Sequence, residues 1–230
     1  MRILVLNGSP KGEKSDTLHI TRAFTDGMNS VRKNEITTVH VNERNIAFCT
    51  GCFVCKKNGG VCVLEDEMQG LLEEILKSEL VIFSFPLYSY GMPGAMKNFV
   101  DRMMPLSSWN MVRDEKGKYG HRMQYDVSSV RYMMICGCGF PNSKHNFEGA
   151  VRQFELKFPE NSAIITVPES PMFNIPQAEP FVAPRRAELF RAGAEFAASG
   201  ALCEETMRTI CSPMIPEEIY AQFANGERTR

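Results

Sequence analysis

The first eighteen residues, MRILVLNGSPKGEKSDTL, constrain the fold most: a short apolar run breaks into a loop of Gly, Ser, Lys and Thr and then enters a helix. A strand feeding such a loop into a helix start aims unpaired backbone N–H groups and the positive end of the helix dipole at one point, which is an anion site. Spacing removes two kinds of phosphate loop. A Walker A loop places Lys directly before the hydroxyl residue at the helix start, whereas Gly8 and Gly12 are followed here by Glu13, Lys14, Ser15 and Asp16. A dinucleotide fingerprint needs Gly-x-Gly-x-x-Gly, and this loop lacks the third glycine. What remains is a hydroxyl-rich loop, with Ser9, Ser15 and Thr17, suited to one terminal phosphate of a mononucleotide. The alternative is an ordinary strand-to-helix turn capped by Ser15 or Asp16.

The rest of the chain alternates strand and helix signals. Apolar and β-branched runs at 2–6, 36–41, 80–85, 131–136 and 163–167 predict strands, several continuous enough for a sheet covered on both faces. Helical spacing with usable starts predicts helices at 17–32, 66–77, 93–104, 146–158 and 185–199. Such alternation predicts an α/β fold around a five-stranded parallel sheet with right-handed crossovers. A polar, Gly-containing insertion at 105–129 carries Trp109 and Tyr119. The domain reading is one unit over 1–201 and an extension over 202–230 with a short helix at 217–223.

With 230 residues, 43% apolar content and a formal net charge of −1, the chain can bury one sizeable core and presents no basic face to nucleic acid. It begins in a strand rather than a signal-type stretch, and no apolar run approaches the span of a bilayer, so a cytoplasmic protein without membrane attachment is expected. In that reducing compartment, eight cysteines point to metal or redox chemistry rather than structural disulfides.

In an open sheet of this kind a ligand lies outside the carboxyl ends of the strands. Three strand ends therefore matter: the 9–17 loop, the 84–102 segment and the 136–142 turn. Pro86, Leu87, Tyr88 and Tyr90 offer a flat apolar and aromatic wall, while Gly91, Gly137 and Gly139 let backbone approach a planar ring closely. A mononucleotide with a large planar group fits that crevice. Tyr88 and Tyr90 also read as amphipathic surface residues, and Met92, Met96, Met103 and Met104 as helix packing.

The NGSPKGEKSDT loop, the FPLYSYGMPGAMKNFVDRMMP segment and the CGCG turn together resemble the flavodoxin-like NADPH-dependent FMN reductase family over most of residues 1–168. The resemblance implies a flavodoxin-like three-layer sandwich with strand order 2-1-3-4-5. It implies FMN held by its phosphate at Ser9, Lys11, Ser15, Thr17 and Leu18, with the isoalloxazine against Pro86, Leu87, Tyr88, Ser89, Tyr90, Gly91 and Met92 and against Cys136, Gly137, Cys138, Gly139 and Phe140. NAD(P)H is then the donor, and a flavin, a quinone or another small molecule the acceptor. It further implies a homodimer or homotetramer. Asp16 departs from the family pattern, where an amide is usual; a carboxylate there repels a phosphate unless it turns away to cap the helix.

The remaining signal is Cys49-x2-Cys52-x2-Cys55-x6-Cys62, in CTGCFVCKKNGGVC. Three thiols at three-residue spacing fold around one corner of a cubane cluster, and a fourth a short loop away closes the set. The spacing resembles the cysteine motif of iron-sulfur flavoproteins, a branch of the same group that carries a [4Fe-4S] cluster beside FMN and exchanges electrons with ferredoxin-like partners. Lys56 and Lys57 favour thiolates or an anionic cluster. Tetrahedral zinc and unligated, redox-active thiols stay open as alternatives.

Other residues read as structural. His19, His40, His121 and His145 show no ligand or triad pattern, and Cys203 and Cys211 read as core or surface thiols. Asp101 and Arg102 read as helix-end or subunit contacts, and Glu65, Asp66 and Glu67 as favouring the next helix N-terminus. No conventional acid, base or nucleophile is required, because the cofactor carries the chemistry.

Overall fold

The computed structural model describes residues 1–115, 117–160 and 162–226. In chain order the strands are β1 (Arg2–Asn7), β2 (Glu35–His40), β3 (Leu80–Pro86), β4 (Ser107–Arg113), β5 (Tyr119–Met123), β6 (Arg131–Gly137) and β7 (Ala163–Val167). The α-helices are α1 (Asp16–Val31), α2 (Val54–Lys57), α3 (Met68–Lys77), α4 (Gly94–Asp101), α5 (Glu148–Lys157), α6 (Glu179–Ser199), α7 (Glu204–Ile210) and α8 (Glu217–Ala224).

Five strands form one parallel sheet in the order β2-β1-β3-β6-β7, which is the expected 2-1-3-4-5 order once the sheet's own strands are counted alone. Successive side chains of a strand point to opposite faces, so a run such as Leu80–Pro86 must bury both. Leu4, Leu6, Val81, Phe83 and Phe85 pack with Leu72, Ile75, Met96, Phe99 and Phe154 of α3, α4 and α5. Ile3, Val5, Ile82 and Ile135 pack with Phe24, Leu189 and Phe196 of α1 and α6 on the other side. Register then aligns the carboxyl ends: Asn7 lies beside His40 and Ser84, and Gly137 beside Pro86 and Val167.

The contact between α1 and α6 depends on two glycines. A Cβ on Gly27 would lie 1.8 Å from the Phe190 carbonyl oxygen, and one on Gly193 would lie 1.8 Å from that of Phe24. Only a residue without a side chain lets the two backbones approach so closely, and this fixes the helix that carries the N-terminal loop.

Three parts differ from the sequence expectation. The 105–129 insertion contains an antiparallel hairpin, β4 with β5, whose strands are mostly exposed on both faces and so carry no apolar alternation to read. Helix α6 begins at Glu179 rather than 185: Pro180 lies in its first turn, where a missing N–H costs little, and Pro184 lies farther inside. The 202–230 extension, of which 227–230 fall outside the described residues, joins the core. Ile210 and Tyr220 are buried against the α1 and α6 face, and Arg185 donates to the carbonyls of Ile210 (2.9 Å) and Ser212 (2.8 Å). Among the described residues, no helix is long and apolar enough to cross a membrane.

Candidate functional site

The N-terminal loop is braced from the ends of β1 and β2. Asn7 accepts from the Ser9 amide (3.1 Å) and donates through Nδ2 to the Gly12 carbonyl and to His40 Nδ1, both at 2.9 Å. Because that amide nitrogen can only donate, His40 Nδ1 accepts, and Nε2–H is left to face Glu13 Oε1 at 2.8 Å. Arg22 and then His40 hold the Glu13 carboxyl below its usual range. Asn42 donates to the Gly8 carbonyl at 2.9 Å. His40, without a pattern in the sequence, is thus part of the brace.

Ser15 is the N-cap of α1: its Oγ accepts from the Leu18 amide at 3.2 Å and lies 2.9 Å from Thr17 Oγ1. Ser9, Ser15 and Thr17 are all buried. Their hydroxyls and the first-turn N–H groups of α1, which have no intrahelical partner, form a donor set suited to a phosphate. Leu18 contributes less than expected, since its side chain is in the core and its amide is engaged by Ser15. Asp16 does not cap the helix. It lines the cleft, with Oδ2 2.8 Å from Lys11 Nζ and Oδ1 held by Asn174, so its charge is offset by the neighbouring cation.

Ser9, Lys11, Asp16 and Thr17 share one cleft with Pro86, Leu87 and Tyr88 and with Gly137, Cys138 and Gly139. The three strand ends singled out in the sequence therefore converge. Ser170 and Pro171 form a fourth wall that the sequence reading missed; the signal was available, because β7 ends in the same row as the other strands. Gly137 is obligatory there: a Cβ would sit 2.6 Å from Ser170 Cβ and 2.8 Å from Thr17 Cγ2.

After β3 the chain makes a tight turn in which Tyr88 and Gly91 exchange backbone hydrogen bonds of 3.1 and 2.9 Å. Its central residues, Ser89 and Tyr90, have φ of 48° and 62°. Positive φ at both central positions is the setting Asn-Gly favours; Ser-Tyr there is strained, and strain of this kind gathers at ligand sites. Gly149 lets the Tyr90 carbonyl pass, since a Cβ would stand 2.7 Å from that oxygen. The Tyr90 and Phe140 rings lie nearly parallel, centroids 6.1 Å apart, and both are exposed. Met92 packs on the core face and Cys136 is wholly buried in β6, so neither side chain lines the cleft. Burial pushes the Cys136 thiol well above its ordinary value and that of Cys138 up to about 11, which leaves no thiolate in the cleft at neutral pH.

A second, smaller pocket is lined by Cys49, Cys52, Cys55 and Cys62, with Thr50, Gly51, Phe53, Leu64, Arg102, Met104 and Pro105 completing its wall. All four thiols are free. Burial raises Cys55, and Cys62 and Cys49 add to this while Lys56 opposes it, so Cys55 is near enough to sense those two sulfurs. Among the described residues, no three His, Cys, Asp or Glu groups are placed to hold a single metal ion. Four thiols around one pocket are a donor set for a thiolate-ligated centre.

The loop that carries these thiols has little regular structure. Phe53 enters α2 with φ of 56°, and Lys56 is buried with Nζ donating to the carbonyl and hydroxyl of Ser107 on the hairpin; burial lowers its pKa. Lys57 is exposed. Of the pair read as helix-end contacts, Asp101 meets Lys97 on the surface, whereas Arg102 is buried behind the pocket. Arg102 is the residue the sequence reading missed here.

Residues 1–159 match a family model described as a flavodoxin-like fold. An iron-sulfur flavoprotein from Archaeoglobus fulgidus is 32% identical over 120 residues, covering 52% of this chain and 52% of the relative. An FMN-dependent NADH:quinone oxidoreductase from Trichormus variabilis is 28% identical over 119 residues, covering 45% of this chain and 54% of the relative. The matches thus span about half the length of these curated relatives. Among solved structures, an FMN-dependent NADH-azoreductase from Bacillus anthracis in complex with FMN aligns with a TM-score of 0.56 at 15% identity, covering 87% of this chain and 99% of the other.

Proposed function

Because the chain belongs to the flavodoxin-like fold family, we propose that it is an FMN-dependent oxidoreductase that draws electrons from NAD(P)H and delivers them to a flavin, a quinone or a related small molecule. One observation carries this reading: a single cleft joins buried hydroxyls at a helix start to an apolar and glycine wall at the neighbouring strand ends. FMN, when bound, supplies the electron chemistry of the cleft. The chain's own residues bind and orient. Ser9, Ser15, Thr17 and the α1 N-terminus hold a phosphate, and the Lys11–Asp16 pair sits at its edge. Pro86, Leu87 and Tyr88 form one wall, and Gly137 to Gly139 let backbone come close to a flat ring. The strained Tyr88–Gly91 turn presents Tyr90 beside Phe140, a surface on which an aromatic donor or acceptor can stack.

The relatives support the reading through their names, an FMN-dependent NADH:quinone oxidoreductase among them. The test is anaerobic: protein loaded with FMN is mixed with NADH or NADPH while flavin absorption is followed, and a quinone is then added. Bleaching by a nicotinamide and recovery with the quinone are expected. A flavin that responds to chemical reductant and to neither nicotinamide would contradict nicotinamide-driven turnover.

The cysteine pocket favours a second, compatible reading, in which Cys49, Cys52, Cys55 and Cys62 hold a [4Fe-4S] cluster and the protein exchanges electrons with a ferredoxin-like partner. Such a cluster, when bound, supplies one-electron exchange. The Archaeoglobus relative, by its name an iron-sulfur flavoprotein, supports this. A homodimer or homotetramer is the proposed assembly.

A further inference from the structure

Arg102 follows the last turn of α4, and its side chain is 2% exposed. All four N–H groups of its two Nη atoms are committed. Nη1 donates to the Ala47 carbonyl and to Asp66 Oδ2, both at 2.6 Å, while Nη2 donates to Asp66 Oδ1 at 3.0 Å and points its remaining N–H at Cys62 Sγ, 3.6 Å away. Asp66 is fixed in turn by the amides of Ala47 (2.9 Å) and Met68 (3.0 Å). A planar guanidinium clamped on a carboxylate in this way cannot swing, so the direction of its last donor is set by the fold.

The Arg102–Asp66 pair carries no net charge, so its effect on the cysteines differs from that of a free cation. What it offers at Cys62 is one oriented N–H dipole, in a pocket whose remaining lining, apart from Thr50 beside Cys52, is largely apolar through Phe53, Leu64, Met104 and Pro105. In such surroundings a hydrogen bond to a ligating sulfur stabilises the more negative, reduced state of an iron-sulfur centre, and such bonds are among the determinants of cluster potential.

We propose that Arg102 is a positioning residue for the cysteine pocket: it holds Cys62 in its ligating orientation and, by donating to the sulfur, raises the reduction potential of the cluster. The proposal rests on the iron-sulfur reading above. A purely structural role, in which the buried pair only pins the 47–66 segment to α4, moves stability and leaves the potential where it was.

The test uses full-length protein, reconstituted anaerobically with iron and sulfide, in wild-type form, as Arg102→Lys and as the double variant Arg102→Met with Asp66→Leu. The double variant removes a neutral buried pair in favour of apolar groups, an exchange that proteins often tolerate. Spectroelectrochemical titration reads the cluster midpoint, with the flavin midpoint of the same sample as internal reference. The expected result is a cluster midpoint lowered in the double variant by about 59 mV, a tenfold shift of the oxidised-to-reduced ratio for one electron. A smaller drop is expected in Arg102→Lys, whose point charge lacks the fork, and no change at the flavin. If the double variant fails to retain a cluster, Arg102→Lys decides alone, a lowered midpoint supporting the proposal. A wild-type midpoint in loaded variants overturns it. Wild-type protein that takes up no iron and sulfide overturns the cluster reading itself, and this proposal with it.

Discussion

Each of the two sites has a buried carboxylate close behind it, and their pKa values are shifted in opposite directions. Asp66, behind the cysteine pocket, suffers a burial penalty, but Arg102 and the Ala47 and Met68 amides outweigh it and hold its carboxyl below the usual range. Glu169, behind the cleft, is raised by burial, which the Met214 and Ile215 amides and the Arg185 charge only partly offset, and its Oε1 is buried with no hydrogen-bond partner among the described residues. The contrast reflects how the sites are built. The cleft is made by strand ends and glycines whose positions the sheet already dictates. The cysteine loop leaves the sheet, has one short helix, and is tied back by side chains, chiefly Arg102 and Lys56. One site is held mainly by the sheet, with Asn7, Asn42 and His40 bracing its loop; the other is held chiefly by two buried cations.

The strongest way to break the comparison is Asp66→Ala. It strands the Arg102 guanidinium in the interior, and losing one partner of a buried pair costs about 3–5 kcal/mol. Denaturant unfolding should show that loss, with the cysteine loop becoming the first segment to yield to protease while residues 1–20 stay protected. Equal loss of protection at both sites would mean that they are not held independently.

Gly137→Ala attacks the other side. Forcing a methyl between Ser170 and Thr17 should cost about 1–3 kcal/mol as overpacking and weaken FMN binding by more than about tenfold, the equivalent of about 1.4 kcal/mol. Fluorescence titration of the flavin measures the affinity, and uptake of iron and sulfide should be unaltered. Unchanged flavin affinity would remove the cleft from the account.

Glu169→Gln sharpens the electrostatic half. A carboxyl whose folded pKa is raised contributes stability that is full below the ordinary glutamate value of about 4.3 and is lost as pH rises through the raised folded value. The Gln variant lacks that loss, so its thermal midpoint relative to wild type should climb between pH 4 and pH 8, by about 1 kcal/mol or less in stability. A difference that stays flat with pH would show that Glu169 ionises in the folded protein just as it does in the unfolded chain, so that burial does not raise its pKa. The smallest effect is expected one residue before Arg102: Asp101→Asn breaks only an exposed pair with Lys97 and should change stability by less than about 0.5 kcal/mol in a urea titration.

The same contrast explains what the sequence disclosed. The central strands were legible because a parallel sheet covered on both faces demands unbroken apolar runs, as in Leu80–Pro86. The cleft's walls were legible because glycines and hydroxyls gather at strand ends; only Ser170 and Pro171, beyond β7, escaped notice. The hairpin of β4 and β5 was not legible, since Trp109, Met111 and Tyr119 are exposed and carry no burial pattern. Neither was the role of Arg102, whose partners lie 36 to 55 positions away in the chain. Local spacing announces ligands such as the cysteines; it does not announce the distant side chains that aim them.

The central claim is that one chain carries two redox groups, FMN in the backbone-built cleft and a cluster in the charge-held pocket. Counting FMN, iron and acid-labile sulfide in protein purified without oxygen tests it most directly. About one FMN with four irons and four sulfides per chain is the expected result for a [4Fe-4S] flavoprotein. FMN without iron and sulfide, even after reconstitution, would contradict the second site and leave the cleft alone.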